Sequence, residues 1–205
     1  MKVRVHKIAS VAYRLGFEKE VEITRKLESR AGNTVVVRAL TEKRVYSELM
    51  GVETVCLRYF NVFGPRQDPK SEYAAVVPAF IMAMLAGESP EVHGDGQQTR
   101  DFTYVGNVVE ANVRACKAPG VSGQAFNVAL GKTFSVLDIV HTVNRFLGTK
   151  VEPRFAPVRK GDVRRTLADV GKVRALLDGF KEVDFEEGMR RTLEWFKSNG
   201  HRHTA

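Results

Sequence analysis

Strand-like and helix-like stretches alternate from residue 52 to residue 198, and that alternation points to an α/β architecture. "ETVCLRYF" at 53–60 reads as a strand, with Val55, Leu57 and Tyr59 alternating against Cys56, Arg58 and Phe60. It is apolar on both faces, the pattern of a strand covered on both sides. "AAVVPAFIMAMLAGE" at 74–88 reads as a helix, with Pro78 near its first turn and Gly87 stopping it. "EVHGDGQQTRDFTYV" at 91–105 reads as two short extended pieces around a Gly-Asp-Gly turn. Asn107 with Glu110 resembles a capping box for a helix to Lys117, and "QAFNVAL" at 124–130 is a strand. Ser135 with Asp138 opens a helix that Gly148 ends. "KVEPRFAP" and "VRRTLAD" are extended, Asp169 opens a short helix, and Asp184 with Glu187 opens a last helix through Trp195. Arg114 and Arg174 read as helix-surface residues.

Residues 1–50 carry weaker signals and form a separate, unplaced segment ahead of a 51–198 region and a frayed 199–205 tail. "KVRVH" and "NTVVVRAL" are strand-like, and "TEKRVYSELMG" is helix-like. Residues 1–50 hold 11 Lys and Arg against 6 Asp and Glu, so +5 of the net +8 lies there. No basic stripe interleaved with aromatics accompanies it, which argues against a nucleic-acid partner and for a solvated basic face. No apolar run reaches the roughly 18 residues a membrane span requires. Two cysteines, Cys56 and Cys116, lack metal spacing and read as free buried thiols, which suits the reducing cytoplasm. No metal site is expected.

The residues with chemical potential cluster where periodicity breaks. In "LRYFNVFGPRQDP" at 57–69 a strand runs into Asn61, Gly64, Pro65 and Arg66, the look of a binding-site floor. Arg100 lies in "QTRDF" and Arg159 with Asp162 in "RKGD". Each has a plainer reading alone. Arg100 beside Asp101 could be a surface ion pair, and Arg159 one member of a basic run with Lys160, Arg164 and Arg165. Asn61 could be a turn residue and Tyr59 a core aromatic, while His93 reads as structural or rim.

Taken in order, "LRYFNVFGPRQDP", "EYAAVVPAFI", "GDGQQTRDFTYV", "FNVALGKTFSV", "RKGD" and "EEGMRRTLEWF" resemble the C-terminal part of NAD-dependent nucleotide-sugar epimerases and dehydratases, the extended short-chain dehydrogenases/reductases. The likeness is to UDP-glucose and UDP-N-acetylglucosamine 4-epimerases. It implies a partial Rossmann-type sheet without its N-terminal cofactor half, plus a small α/β substrate-binding subdomain. It further implies that Arg100 and Arg159 hold the diphosphate of a UDP-sugar, where the planar guanidinium fork suits phosphate oxygens. Asp162 would accept from the ribose hydroxyls, Asn61 would meet the phosphate–sugar junction, and backbone groups of Ala75 and Val76 would meet the uracil. Tyr59 and Phe60 would pass the nicotinamide of NAD.

Two parts of the family's machinery are not legible. No GxxGxxG or GxGxxG occurs, so no glycine-rich loop offers backbone N–H groups to a pyrophosphate. Nor is there a Tyr-x-x-x-Lys pair, since Tyr46 is followed at the fourth position by Met50 and Tyr13 by Phe17. No catalytic residue is therefore assigned. "NVALGK" replaces the family's "NVGTG", and Asn107 its usual Asp. The expected function is a UDP-sugar 4-epimerase relative with its substrate half present, inactive as this chain alone. The alternative is a non-catalytic nucleotide-sugar-binding module. The expected partners are a UDP-sugar and either a separate cofactor-binding half or a second copy of the chain.

Overall fold

The computed structural model describes residues 53–69, 76–177 and 182–199. The strand- and helix-like readings within 1–50, Ala75, and the tail beyond Asn199 lie outside these residues. The chain divides into two compact units, Met1–Arg58 with Ala115–Phe126, and Tyr59–Arg114 with Asn127–Ala205. Strand β1 (Cys56–Tyr59) pairs with β6 (Ala125–Val128). In the first unit the Cys56 N–H donates to Gln124 O at 2.9 Å and the Gly123 N–H to Thr54 O at 2.8 Å. Cys116, expected to be buried, is exposed just past the end of a helix, and Cys56 is half-buried.

The second unit carries most of the described structure. Strand β2 (Val62–Phe63) runs parallel to β5 (Thr103–Tyr104), and β3 (Glu91–His93) parallel to β8 (Arg154–Ala156). Strand β4 (Thr99–Arg100) is antiparallel to β7 (Phe134–Ser135). The stretch expected as two extended pieces is thus three, because β4 and β5 pair with different partners on either side of Asp101.

Helix α1 (Val76–Leu85), helix α3 (Val136–Leu147) and helix α5 (Phe185–Asn199) pack on one another; α2 (Val105–Ala115) and the short α4 (Gly171–Leu176) complete the set among the described residues. Helix α3 starts as its sequence requires. The Ser135 side chain accepts from the Asp138 N–H, the Asp138 side chain accepts from the Ser135 N–H, and Gly148 closes the helix at φ 68. Helix α5 buries Phe185, Gly188, Met189, Thr192, Leu193 and Phe196, the three- and four-residue spacing of a single apolar face. It begins where Asp184 accepts from the Glu187 N–H at 2.8 Å. It continues to Asn199, past the expected end at Trp195, and Arg190 bonds Glu187 and Glu194 along its outer face.

Asn107 departs from its expected role as a cap. Helix α2 already begins at Val105, and the Asn107 side chain is buried. Its Nδ2–H donates to Val183 O and its Oδ1 accepts from the Val183 N–H, both at 2.8 Å. The amide thus imitates a strand partner and ties α2 to the chain entering α5.

An aromatic cluster lies beneath β2 and α5. Phe63 meets Phe102, Tyr104 and Phe185 edge-on at centroid separations of 6.5, 6.0 and 5.8 Å, and Phe134 stacks on Phe185 at 4.1 Å. Gly188 lets α5 approach this cluster. A Cβ there would lie 2.9 Å from Tyr104 Cβ and 3.0 Å from Phe63 Cζ. Gly188→Val is expected to lose about 1–3 kcal/mol by overpacking. Chemical denaturation checks this, and a variant as stable as the parent would show that Tyr104 and Phe63 can move aside.

Candidate functional site

Beyond β2 the chain turns sharply. The Gln67 N–H donates to Gly64 O at 3.4 Å, placing Pro65 and Arg66 at the turn's two central positions. Arg66 sits at φ 66, where a turn of this kind with proline ahead normally takes glycine. The Gln67 side chain braces the turn by donating to Val62 O at 3.1 Å. Asn61 is also left-handed, at φ 33, with its carbonyl accepting from the Thr103 N–H at 3.2 Å and its Oδ1 facing Thr166 Oγ1 at 3.4 Å. Each such residue costs on the order of 1–2 kcal/mol, a cost tolerated mainly where the surroundings fix it and where sites form.

Both residues line a cleft of about 1150 Å³. Strand alternation supplies another wall, since Gln98, Arg100 and Phe102 line the cleft while Asp101 and Thr103 are fully buried. Arg100 donates through Nη1 to Thr99 O at 2.8 Å, and its Nη2 pairs with Asp162 Oδ1. Asp162 arrives on a tight turn, its N–H donating to Arg159 O at 3.1 Å. Arg159, Lys160 and Asp162 line the same cleft, as does Val76 at the start of α1. Arg100, Arg159, Asp162, Asn61 and Val76, far apart in sequence, therefore share one concavity.

The two residues expected to meet NAD stand apart from this cleft. Tyr59 and Phe60 do not line the cleft. Tyr59 is 48% exposed, and its hydroxyl donates to Asn112 Oδ1 on α2 at 3.1 Å. Phe60 is half-buried, with its N–H on Val128 O at 3.3 Å.

The reading of Arg100 and Asp101 as a surface pair is replaced by two separate partnerships. Arg100 turns into the cleft toward Asp162, and Asp101 turns away from it. The Asp101 carboxylate accepts from the Leu130, Gly131 and Ala168 N–H groups at 2.9, 3.0 and 3.3 Å. Burial pushes this carboxyl up from its ordinary range, while the three N–H groups favour the ionised form. Arg174 is also more than a surface residue. It donates to Leu130 O at 2.8 Å and holds Glu182 through two further bonds. The expected basic run splits as well. Arg164 grips Asp95 with both guanidinium nitrogens, at 2.7 and 3.0 Å, and holds that carboxyl down to about 2.

Charge in the cleft is unbalanced. Glu91 is engaged by Arg154 and lies 3.3 Å from His93 Nε2, and Asp162 is engaged by Arg100. Arg66, Arg159 and Lys160 line the cleft with no acidic partner among the described residues. The sequence marks Arg66 as part of a binding-site floor and Lys160 as a member of a basic run, but assigns neither a ligand role. The arrangement suits an elongated anion carrying hydroxyl groups. Among the described residues no group of three or more His, Cys, Asp or Glu could hold a metal ion.

Residues 39–129 match the NAD dependent epimerase/dehydratase family. The UDP-glucose 4-epimerase of Mycolicibacterium smegmatis is 38% identical over 154 residues, which is 75% of this chain and 49% of that protein. Among solved structures, UDP-N-acetylglucosamine 4-epimerase from Methanobrevibacter ruminantium, in complex with UDP-N-acetylmuramic acid, superposes with a TM-score of 0.72 at 38% identity, covering 80% of this chain and 53% of that one. UDP-glucose 4-epimerase from Thermotoga maritima, with UDP-glucose, gives 0.72 at 36% identity, covering 78% and 51%. The chain spans about half the length of the curated relatives it matches.

Proposed function

The chain is a partial member of the NAD dependent epimerase/dehydratase family, with the α/β fold of its Rossmann-type epimerases, and from that premise we propose that its cleft binds a nucleotide sugar, first a UDP-sugar, as the substrate site of a 4-epimerase. The observation that carries the reading is the convergence of Arg100, Arg159 and Asp162 on one cleft, where Arg66, Arg159 and Lys160 have no acidic partner among the described residues. A diphosphate leaving water needs several charge-assisted donors, and arginine supplies them in a planar fork. In this reading Arg100 and Arg159 take the diphosphate and Asp162 the ribose hydroxyls. Asn61 meets the phosphate–sugar junction, and the chain at Ala75 and Val76 meets the base. Relatives named for UDP-glucose, UDP-glucuronate and UDP-N-acetylglucosamine epimerisation support the substrate class without selecting the sugar. Calorimetric titration with UDP tests the reading.

An epimerase and a binding-only module would hold the ligand in the same cleft. An assay for UDP-glucose to UDP-galactose conversion with NAD added separates them. NAD is the family's cofactor, and Tyr59 and Phe60, which the resemblance places beside its nicotinamide, lie outside the cleft lining. We infer that this chain alone binds NAD far more weakly than UDP, because its sequence offers no glycine-rich loop to a pyrophosphate. A parallel NAD titration checks this, and micromolar affinity would overturn it.

A further inference from the structure

Asp101 is 0% exposed, directly behind the strand whose other face carries Gln98, Arg100 and Phe102 into the cleft. A carboxylate there is costly unless its oxygens are satisfied, and a small apolar side chain would fill the place without that cost. Its three backbone donors come from two separate stretches, Leu130 and Gly131 after β6, and Ala168 past the turn that holds Arg159 and Asp162. The stretch leading to Ala168 runs beside β4. The Thr99 N–H donates to Arg164 O at 3.0 Å, and the Thr166 N–H donates to Thr99 O at 3.1 Å. The Asp101 bond to Ala168 is the next connection along this seam. On the other side, Arg174 holds the Leu130 carbonyl at 2.8 Å while Asp101 holds the Leu130 N–H.

We propose that Asp101 is a positioning residue of the cleft, one that fixes the register between the strand bearing Arg100 and the segment bearing Arg159 and Asp162. This rests on the reading of the cleft as a nucleotide-diphosphate site. Asp101 touches no ligand. It acts by holding the strand of Arg100 in register with the turn of Arg159 and Asp162, so that both guanidinium groups can reach one diphosphate, and hydrogen bonds weaken steeply as their geometry departs from ideal. The asparagine isostere keeps the volume but sets an amide N–H against backbone N–H groups, so at least one of the three bonds is lost.

The test uses the full chain. Asp101→Asn is expected to weaken UDP binding about tenfold with an unchanged near-ultraviolet circular dichroism spectrum. A purely structural role would cost the same on any background. A positioning role predicts that on an Arg100→Ala background the added loss from Asp101→Asn shrinks to about twofold or less, because the group being positioned is gone. Full additivity, or undiminished UDP affinity in the single variant, overturns the proposal. If the parent chain fails to bind UDP, the functional reading falls, and ligand-free hydrogen exchange decides the anchoring. Asp101→Asn should then speed exchange at Ala168, Thr166 and Leu130 and leave Met189 and Leu193 of α5 unchanged. No change, or a uniform rise, would overturn it. If the variant does not fold, UDP added to the parent chain should slow exchange at Ala168 and Leu130, which do not line the cleft. Absence of that protection in a chain that binds UDP would also overturn it.

Discussion

Phe63→Ala is expected to destabilise the chain by about 3–5 kcal/mol, the range for truncating a buried aromatic. Phe63 is 2% exposed and meets three other rings, from Phe102, Tyr104 and Phe185. Its Cζ also lies where Gly188 admits α5. Neighbours held from so many sides cannot collapse into the space vacated, so a cavity cost adds to the lost transfer energy. Against a typical total of about 5–15 kcal/mol, this removes a large share of the fold's margin. Urea denaturation should show the midpoint falling with the slope unchanged. A loss under about 1 kcal/mol would mean that the cluster repacks. The substitution should reach the cleft as well, because Phe102 belongs both to the ring cluster and to the cleft wall.

Arg100→Ala should weaken UDP binding more than Arg159→Ala, although both remove one cation. A charge-assisted hydrogen bond contributes on the order of 1.5–3 kcal/mol, or roughly ten- to a hundredfold in affinity. The Arg159 side chain has no acidic partner among the described residues, so its removal subtracts only its own contact with the ligand. Arg100 is paired with Asp162, and its removal also leaves an uncompensated carboxylate facing the place proposed for the phosphates. Asp162→Asn added to Arg100→Ala should therefore recover part of the loss, even though Asp162→Asn alone weakens binding through the ribose. Calorimetry on the two single variants and the double variant measures this. Arg114→Ala is the control, since Arg114 bonds Glu110 on its own helix and is absent from the cleft lining. Arg174 is unsuitable as a control because it holds the Leu130 carbonyl. Equal effects for Arg100, Arg159 and Arg114 would mean that no shared anion site exists.

The fold was legible wherever local chemistry decides. Ser135, Asp138 and Gly148 bound α3 because capping and left-handed closure depend on neighbours a few residues away. Asp184 opened α5 for the same reason. Asn107 was misread because an asparagine ahead of a glutamate looks the same whether it caps its own helix or binds Val183, 76 residues on. Strand partners were not legible either. The short extended pieces from Glu91 to Tyr104 pair with three different segments, and only tertiary structure assigns them.

At the site, the arginine-bearing motifs could be found because their residue types suit phosphate and their order matched a known family. Asp101 could not be separated from its neighbour Arg100 by sequence. Adjacent residues on a strand point to opposite sides, and whether the far side holds solvent or three backbone N–H groups depends on loops 29 to 67 residues away. The part played by Lys160 and Arg66 as cations without an acidic partner among the described residues was hidden differently. A charge in a run or a turn declares nothing until its acids are placed, and here the neighbouring acids belong to other arginines.

The most direct test of the cleft is titration of the unmodified chain with UDP, uridine and inorganic phosphate under one buffer and salt condition. Saturable one-to-one binding of UDP is expected, with uridine at least about tenfold weaker because it leaves the cleft's cations unanswered. UDP affinity should fall as salt rises, since the contacts are charge-assisted. Uridine binding as well as UDP, or no saturable UDP binding at all, would contradict it.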